Sequence, residues 1–422
     1  MKFKKKILKN GMKVIFVPMP ESLTATVLVL VEAGSKYETK EINGISHFLE
    51  HMCFKGTTKR PRAIDIAGEL DGIGAQSNAF TGQEYTGYFA KASFRKVNKL
   101  LDVVSDIYLN PVFDESEIEK EKGVIVEEIN MYEDMPARHI QDLFMELLYG
   151  DQPAGWNIAG EEKIVRSLGR EDFIKYRNNH YVASATTVIV SGRFDEKKIL
   201  EGIKNKFKNI STAKKHSKKK VKEEQKRPQV LVKYKKTDQT HLVIGFRSWD
   251  IFSKQNPILS VVSGILGGGM SSRLFQKLRE EMGVGYYVRS YNDTYTDHGV
   301  FQASAGVDNK RVEEVAKAIL SEFKKLKDEL VSEEEIRKVK DYLIGNMYLE
   351  LESSDDLANF YGSQEVLKRK EVSPQEIAKK IRDVTPAQVK KIANKIFTND
   401  RLNMAIIGPF KDKALFAKIL KL

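Results

Sequence analysis

The sequence is poor in cysteine, histidine and proline. Its 422 residues include 1 cysteine (Cys53), 7 histidines and 11 prolines. A single cysteine excludes an intrachain disulfide framework and a metal site built from several thiolates. Any metal site must therefore use histidines and carboxylates. With 41% hydrophobic and 30% charged residues, the composition is that of a folded protein and excludes a disordered or collagen-like chain.

Long apolar runs are also missing. No stretch approaches the ~18 apolar residues that a membrane-spanning helix needs. The basic start, Met1–Lys6, is followed by Asn10 and Gly11, which interrupt the apolar core that a signal peptide would require. We therefore predict that the N-terminal segment belongs to the fold, with a buried strand over Val14–Val17. We also predict a cytoplasmic protein with no membrane partner.

The positive charge is concentrated in one segment. Lys and Arg number 70 against 58 Asp and Glu, a net charge of +12. Much of the excess falls in Ser211–Arg227, which contains nine basic residues, His216 included, and almost no apolar ones. Such a segment cannot contribute to a core, so we predict a solvated linker. A nucleic-acid contact is the alternative, but no aromatic residues lie between the lysines to stack on bases, and we predict no nucleic-acid partner.

The two halves of the chain repeat one pattern of helices and strands. The strand pattern that ends at Phe194 in the first half matches one that ends at Phe410, 216 residues later. A near-constant offset over a whole half indicates duplication of a unit of normal domain size. We predict domains at 1–210 and 228–422, joined by the linker at 211–227.

Each half alternates strand patterns with helix patterns. Ala25–Val31 and Leu242–Phe246 are predicted strands. Val97–Leu109 and Val312–Leu326 have the three- and four-residue apolar spacing of amphipathic helices. Because several strands are expected to pair as hairpins, we predict an α+β fold with two homologous domains. Each domain is expected to be a mixed, mostly antiparallel sheet packed with helices.

Three chemically active side chains lie close together in Ile45–Met52, which has the apolar pattern of a helix. On a helix, residues three and four apart share a face, so His47, Glu50 and His51 converge. Two imidazoles one turn apart form a two-point clamp for zinc, and the carboxylate can lie beside the metal without binding it. The order His-x-x-Glu-His is the reverse of the commoner zinc-peptidase motif. A structural helix with surface histidines is the alternative for so short a pattern.

A catalytic zinc needs a third protein ligand, and a downstream helical segment offers glutamates. Glu121 and Glu128 are seven residues apart and share one helix face, whereas Glu127 lies about 100° away around the helix. One of these glutamates can supply a ligand and another can orient a histidine. An acidic, solvated stripe is the alternative.

The motif His47 to His51, followed by Glu128 at 77 residues after His51, resembles the pitrilysin, insulysin and mitochondrial processing peptidase family of inverted-motif zinc metallopeptidases. The chain is similar to the short, two-domain bacterial members over essentially its whole length. The resemblance implies that Glu128 is the third ligand and that Glu121 is the supporting acidic residue. Further segments are similar to the family's substrate-binding elements, and they contain Asn78, Ala79, Phe80, Arg279 and Tyr286.

The resemblance implies a zinc-dependent endopeptidase that cleaves unfolded peptides or short protein segments. It implies one Zn²⁺ per chain, held by His47, His51 and Glu128. Glu50 would act as the general base toward the attacking water. Tyr286 would donate its hydroxyl to the oxyanion of the tetrahedral intermediate.

The resemblance also implies how substrate and partners are arranged. The strand at Asn78–Thr81, which contains the site residues Asn78, Ala79 and Phe80, would bind an extended peptide by β-augmentation, and Arg279 would anchor that peptide. The two domains would form half of a clam-shell chamber. Because this chain carries both the zinc motif and the Arg/Tyr segment, we expect a homodimer.

Several alternatives stay open within this family. The chain could be a narrower, presequence-type processing protease, or a non-catalytic peptide-binding subunit. A heterodimer with an inactive paralogue is the alternative to a homodimer. Manganese or cobalt could replace zinc, because sites built from nitrogen and oxygen accept several divalent ions.

Overall fold

The structure is a computed structural model that describes residues 3–368 and 370–422. The chain forms two compact units, each with its own sheet and helices. The described residues of the first unit fall within Met1–Asn130, Trp156–Lys219 and Glu350–Val372, and those of the second unit fall within Met131–Gly155, Lys220–Leu349 and Ser373–Leu422.

Helices and strands alternate along both units. The strands are β1 (Lys4–Ile7), β2 (Lys13–Pro18), β3 (Thr24–Val31), β4 (Gln76–Thr81), β5 (Thr86–Ser93), β6 (Thr186–Gly192), β7 (Gln229–Tyr234), β8 (Gln239–Ser248), β9 (Gly285–Thr294), β10 (Gly299–Asp308) and β11 (Leu402–Gly408). The helices are α1 (Ile45–Met52), α2 (Ala63–Asp71), α3 (Val97–Leu109), α4 (Glu115–Glu133), α5 (Pro136–Tyr149), α6 (Glu162–Ser167), α7 (Arg170–His180), α8 (Glu196–Lys206), α9 (Asn256–Gly267), α10 (Arg273–Phe275), α11 (Val312–Asp328), α12 (Glu333–Leu349), α13 (Ser354–Lys368), α14 (Pro374–Arg382), α15 (Pro386–Ile396) and α16 (Ala414–Ile419). In the described part of the chain, no helix has both the length and the apolar character needed to cross a membrane.

The sheet of the first unit is mixed and mostly antiparallel. Its strand order is β1–β2–β6–β3–β5–β4. β2 and β6 run parallel, and all other neighbours are antiparallel. The central strand β3 is rich in valine and leucine, and seven of its eight residues are buried. A strand buried along both of its faces needs cover on each side, and both α3 and α13 pack against it.

The sheet of the second unit repeats this topology. Its order is β7–β11–β8–β10–β9, with β7 and β11 parallel and the other neighbours antiparallel. Strand for strand, this is the order β2–β6–β3–β5–β4, without an equivalent of β1. The repetition confirms the predicted α+β fold with two homologous domains.

The compact units differ from the predicted boundaries, 1–210 and 228–422, at two helices. Each of these helices packs on the sheet that is formed by the other half of the sequence. Helix α5 lies in the first half of the sequence, yet its Ile140 belongs to the same apolar cluster as Val243 and Ile407 of the second sheet. Helix α13 lies in the second half, yet it packs on β3 and β6 of the first sheet. The two helices hold equivalent places in the repeat, so the compact units and the repeated halves of the sequence differ at these helices, and the boundaries of the homologous domains stay a prediction.

The lysine-rich segment Ser211–Arg227 is largely exposed, but it is not a free linker. Lys215 Nζ lies 2.6 Å from Glu32 Oε2, and Lys218 Nζ forms an ion pair with Glu84. All four of these residues belong to the first unit. The run of lysines predicts a solvated linker. The acidic partners could not be predicted, because Glu32 and Glu84 are distant in sequence.

Candidate metal centre

Helix α1 has one apolar face and one face that carries two histidines. Phe48, Leu49 and Met52 are buried in the core of the first unit. His47 and His51 lie one turn apart and stay partly accessible, with 13% and 22% of their side-chain surface exposed. The apolar spacing that predicts the helix therefore also determines which way the two imidazoles point.

A buried carboxylate fixes the start of α1. Glu38 accepts hydrogen bonds from the backbone N–H groups of Gly44 and Ser46, each over 2.8 Å, and from Asn43 Nδ2 over 3.0 Å. These bonds satisfy amide groups that have no partner within the helix. Gly44 has a φ of 97°, a left-handed conformation that favours glycine. Burial is the main cause that raises the pKa of Glu38 to about 7.

Helix α4 brings two glutamates next to the histidines. Ile118 and Ile125 anchor it in the core of the first unit. Glu121 is buried and Glu128 is half-buried beside α1, whereas Glu127 is exposed. Glu121 and Glu128, which share a helix face, thus lie toward α1, whereas Glu127 faces solvent.

His47, His51 and Glu128 form the one group of three metal-ligating side chains within the described residues. His47 Nε2 lies 3.7 Å from Glu128 Oε2, and His51 Nε2 lies 3.6 Å from the same oxygen. The three ligand atoms all lie within 4.8 Å of one another. In a tetrahedral zinc site with bonds of about 2.0–2.1 Å, ligand atoms are about 3.4 Å apart. The donor set and its spacing therefore fit a zinc ion.

Glu121 holds one of the histidines in place. Its Oε1 lies 2.9 Å from His51 Nδ1, and its Oε2 lies 2.5 Å from Lys55 Nζ. If His51 Nδ1 carries the proton for this bond, the lone pair of Nε2 faces Glu128, which is the tautomer that a metal ligand needs. Glu121 thus orients a histidine, and Lys55 keeps its charge balanced.

The two histidines have different electrostatic environments. Burial lowers the pKa of His47 to about 4, and the neighbouring His51 adds to this shift. Burial also acts to lower the pKa of His51, but the hydrogen bond and charge of Glu121, together with Glu128 and Glu50, raise it overall. A neutral His47 has a free lone pair, and the carboxylates around His51 favour a cation, whether a proton or a metal ion.

Glu50 lies on α1 beside the cluster and is not one of its three ligands. Its Oε2 accepts a hydrogen bond from Thr81 Oγ1 over 2.5 Å. Burial raises the pKa of Glu50, and the Thr81 hydroxyl opposes this shift. Glu50 lies on the same helix as the two histidines, as the His-x-x-Glu-His spacing predicts. Thr81 was predicted only as part of the substrate-binding strand and Lys55 was given no role, because tertiary contacts alone bring them to Glu50 and Glu121.

Asn78, Ala79 and Phe80 lie in β4, at the edge of the first sheet. Among the described strands, β4 is hydrogen-bonded only to β5. Asn78 is exposed, and Ala79 and Phe80 are half-buried. β4 also contacts α1, so an open strand edge runs beside the helix that carries the histidines.

Arg279 and Tyr286 belong to the second unit, not to the unit that holds the histidine cluster. The Arg279 guanidinium lies 5.4 Å from the ring centre of Phe275. Tyr286 is near the start of β9, the edge strand of the second sheet, and 59% of its surface is exposed. Within the described residues, neither side chain takes part in an ion pair.

The fold and the cluster together define a class of protein. The chain combines a duplicated α+β unit, an inverted His-x-x-Glu-His helix and a glutamate on a neighbouring helix. This combination is that of the inverted-motif zinc peptidases, in which one unit carries the metal motif.

Comparison with known proteins identifies the family. Residues 13–162 match the family described as Insulinase (Peptidase family M16), and residues 167–343 match the Peptidase M16 inactive domain. The chain is 33% identical to the "Uncharacterized zinc protease YmxG" of Bacillus subtilis, over 95% of this chain and 97% of that protein. It is 36% identical to an "Uncharacterized zinc protease" of Rickettsia felis, over 95% and 96% of the two chains. The chain therefore belongs to peptidase family M16.

A solved structure shares the fold. The crystal structure of a protease from Helicobacter pylori superposes with a TM-score of 0.91 at 24% identity, covering 97% of this chain and 99% of that one. Family membership and fold both agree with the resemblance that the His-x-x-Glu-His motif indicated.

Proposed function

We propose that this protein is a zinc-dependent endopeptidase that cleaves unfolded peptides. The observation that carries the proposal is the joint placement of three ligands and a base. His47, His51 and Glu128 converge on one point, and Glu50 lies on the same helix as the two histidines without joining the ligand set.

One zinc ion per chain would be held by His47, His51 and Glu128. When bound, zinc acts as a Lewis acid that lowers the pKa of water and polarises a carbonyl group. Glu121 keeps His51 oriented through Nδ1, and His47, whose pKa is lowered to about 4 by burial, is neutral and can donate a lone pair. Manganese or cobalt could occupy the same nitrogen and oxygen donors.

Glu50 would accept the proton of the attacking water and pass it to the leaving amine. Its position supports this role, because one carboxylate oxygen is held by Thr81 and no hydrogen bond from the described residues reaches the other. Tyr286 would donate its hydroxyl to the developing oxyanion, and Arg279 would anchor the peptide.

The edge strand β4 supports an extended substrate. A peptide can add to its free edge through main-chain hydrogen bonds at Asn78, Ala79 and Phe80. Such binding uses the backbone more than side chains, so it demands an unfolded substrate and gives loose sequence specificity.

Because Arg279 and Tyr286 lie in the other unit, we also propose a homodimer in which one copy serves the metal centre of its partner. The presence of both sets of residues in one chain supports this arrangement over a heterodimer with an inactive paralogue. A monomer in analytical ultracentrifugation that cleaves peptides at full rate would contradict it.

Digestion of a peptide library together with metal analysis tests the proposed function. Glu50→Gln should lower the cleavage rate by about 10²–10⁴-fold and keep the metal, because only the base is removed. Glu128→Gln should lose both metal and activity. Glu127→Gln, on the same helix but exposed, is the matched control and should keep both. Normal cleavage by Glu50→Gln would show that the mechanism is wrong, and a metal-free wild type would favour a non-catalytic binding subunit.

A further inference from the structure

Thr81 lies where the proposed peptide-binding strand meets the proposed general base. It is the last residue of β4, and its Oγ1 is 2.5 Å from Glu50 Oε2. This is the one hydrogen bond that the described residues make to the Glu50 carboxylate. The hydroxyl therefore holds one oxygen and leaves the other free to face a water molecule.

The donor and acceptor of this bond are fixed by chemistry. An ionised carboxylate can only accept, so Thr81 must donate its proton to Glu50. The neighbouring hydroxyl of Thr86 lies 3.4 Å from Thr81 Oγ1 and donates to Ala33 O over 3.0 Å. Thr86 is paired with Thr81 across β4 and β5, so the two hydroxyls are held by the register of the sheet.

The backbone that carries Thr81 is held in place as well. Directly after it, Gly82 O accepts a hydrogen bond from Ser35 N over 3.2 Å, and Gln83 O accepts one from Lys36 N over 2.9 Å. A β-branched side chain has few rotamers, so fixing this backbone also fixes where the hydroxyl points.

We propose that Thr81 is a positioning residue that fixes the Glu50 carboxylate and joins it to the strand that receives the peptide. The inference rests on the proposed function, because it takes Glu50 as the base and β4 as the binding edge. A peptide that pairs along Asn78–Phe80 would lie on the strand that ends at Thr81. The strand that would bind the substrate thus also carries the hydroxyl that orients the base.

Steady-state kinetics of two variants test this positioning role. Thr81→Val keeps the β-branched shape and removes the hydroxyl, so kcat should fall roughly 10–100-fold while KM and zinc content stay close to wild type. Thr81→Ser keeps the hydroxyl and should recover most of the lost rate. In a Glu50→Gln background, Thr81→Val should cause no further loss. Equal rates for wild type and Thr81→Val, or equal losses for the valine and serine variants, would overturn the proposal.

A structural measurement separates this inference from the proposed function. In crystals of the full chain, Glu50 should have one ordered conformer in wild type and Thr81→Ser, and a displaced or multiple conformer in Thr81→Val. An unmoved Glu50 in Thr81→Val would overturn the positioning role. If Glu50 moves as expected but Glu50→Gln cleaves peptides normally, the proposed function fails while the positioning contact stands.

Discussion

The side chains around His47 and His51 carry more negative charge than the nearby cation can balance. Glu50, Glu121 and Glu128 are all close to the imidazoles, as their effects on the pKa of His51 show. Lys55 pairs with one carboxylate oxygen of Glu121, and His51 pairs with the other. A group of acids that is only partly neutralised attracts a divalent cation.

Replacing Glu121 by glutamine tests how the histidine is oriented. The amide keeps an acceptor for His51 but removes the charge that binds Lys55. We expect Glu121→Gln to weaken zinc binding by roughly 10–100-fold, measured by competition with a metal indicator. Glu127→Gln is the control on the same helix, and equal affinities for the two variants would contradict an orienting role for Glu121.

At this scale the sequence predicts some contacts and not others. The spacing of His47, Glu50 and His51 is enough to place them on one face of a helix. The choice of Glu128 as ligand and Glu121 as support came from the family resemblance, because helix periodicity cannot tell two residues on one face apart. Thr81 could not be given its role, since its bond to Glu50 joins a strand and a helix 31 residues apart.

At the scale of elements, the exchanged helix α13 depends on a close approach to the first sheet. A Cβ built at Gly362 would lie 2.8 Å from Leu30 Cδ1 and 3.0 Å from Ile189 Cδ1. Both neighbours are fully buried and have little room to move. The small residue lets this helix pack on a unit from which it is distant in sequence.

Gly362→Val should therefore overpack this contact. We expect the free energy of unfolding to fall by about 1–3 kcal/mol, measured by urea denaturation. Gly345→Val in α12 is the control, because a Cβ there meets no atom within 4 Å. A Gly362→Val variant as stable as this control would show that α13 does not pack tightly on the sheet.

Glu38, whose carboxylate caps α1, should make the free energy of unfolding depend on pH, and the direction of that dependence follows from its raised pKa. Burial raises the pKa of Glu38 to about 7 from an ordinary value of 4.5. Between these values the folded chain keeps a proton that the unfolded chain has released, so stability falls as pH rises. Relative to Glu38→Gln, wild type should lose up to about 3 kcal/mol of unfolding free energy between pH 5 and 8.

Exposed Glu41 provides the control for this measurement. Glu41→Gln should keep the pH dependence of wild type over the same range, because Glu41 is solvated in both states. Parallel pH curves for wild type and Glu38→Gln would contradict the effect assigned to burial of Glu38.

The elements themselves were largely predictable. Helix α3 has the bounds expected from its apolar spacing, Val97–Leu109, and β3 extends the expected strand by one residue. The exchange of α5 and α13 was not predictable, because an amphipathic pattern shows that a face is buried without showing which sheet covers it.

At the scale of the whole molecule, the duplicated units carry different chemistry in one topology. The first unit contains the histidine cluster, and within the described residues no second cluster of this kind occurs. In the second unit His241 bonds to Tyr287 and His298 to Asp297. The near-constant sequence offset between matching patterns in the two halves was enough to predict the duplication. The homodimer stays a prediction.

Anomalous X-ray scattering at the zinc edge tests the central claim most directly. Crystals of the full chain grown with zinc should show one strong peak per chain in the first unit. The peak should lie about 2.0–2.2 Å from His47 Nε2, His51 Nε2 and a Glu128 oxygen, with Glu50 outside bonding distance. No peak at this cluster, or a peak held by other side chains, would contradict the account.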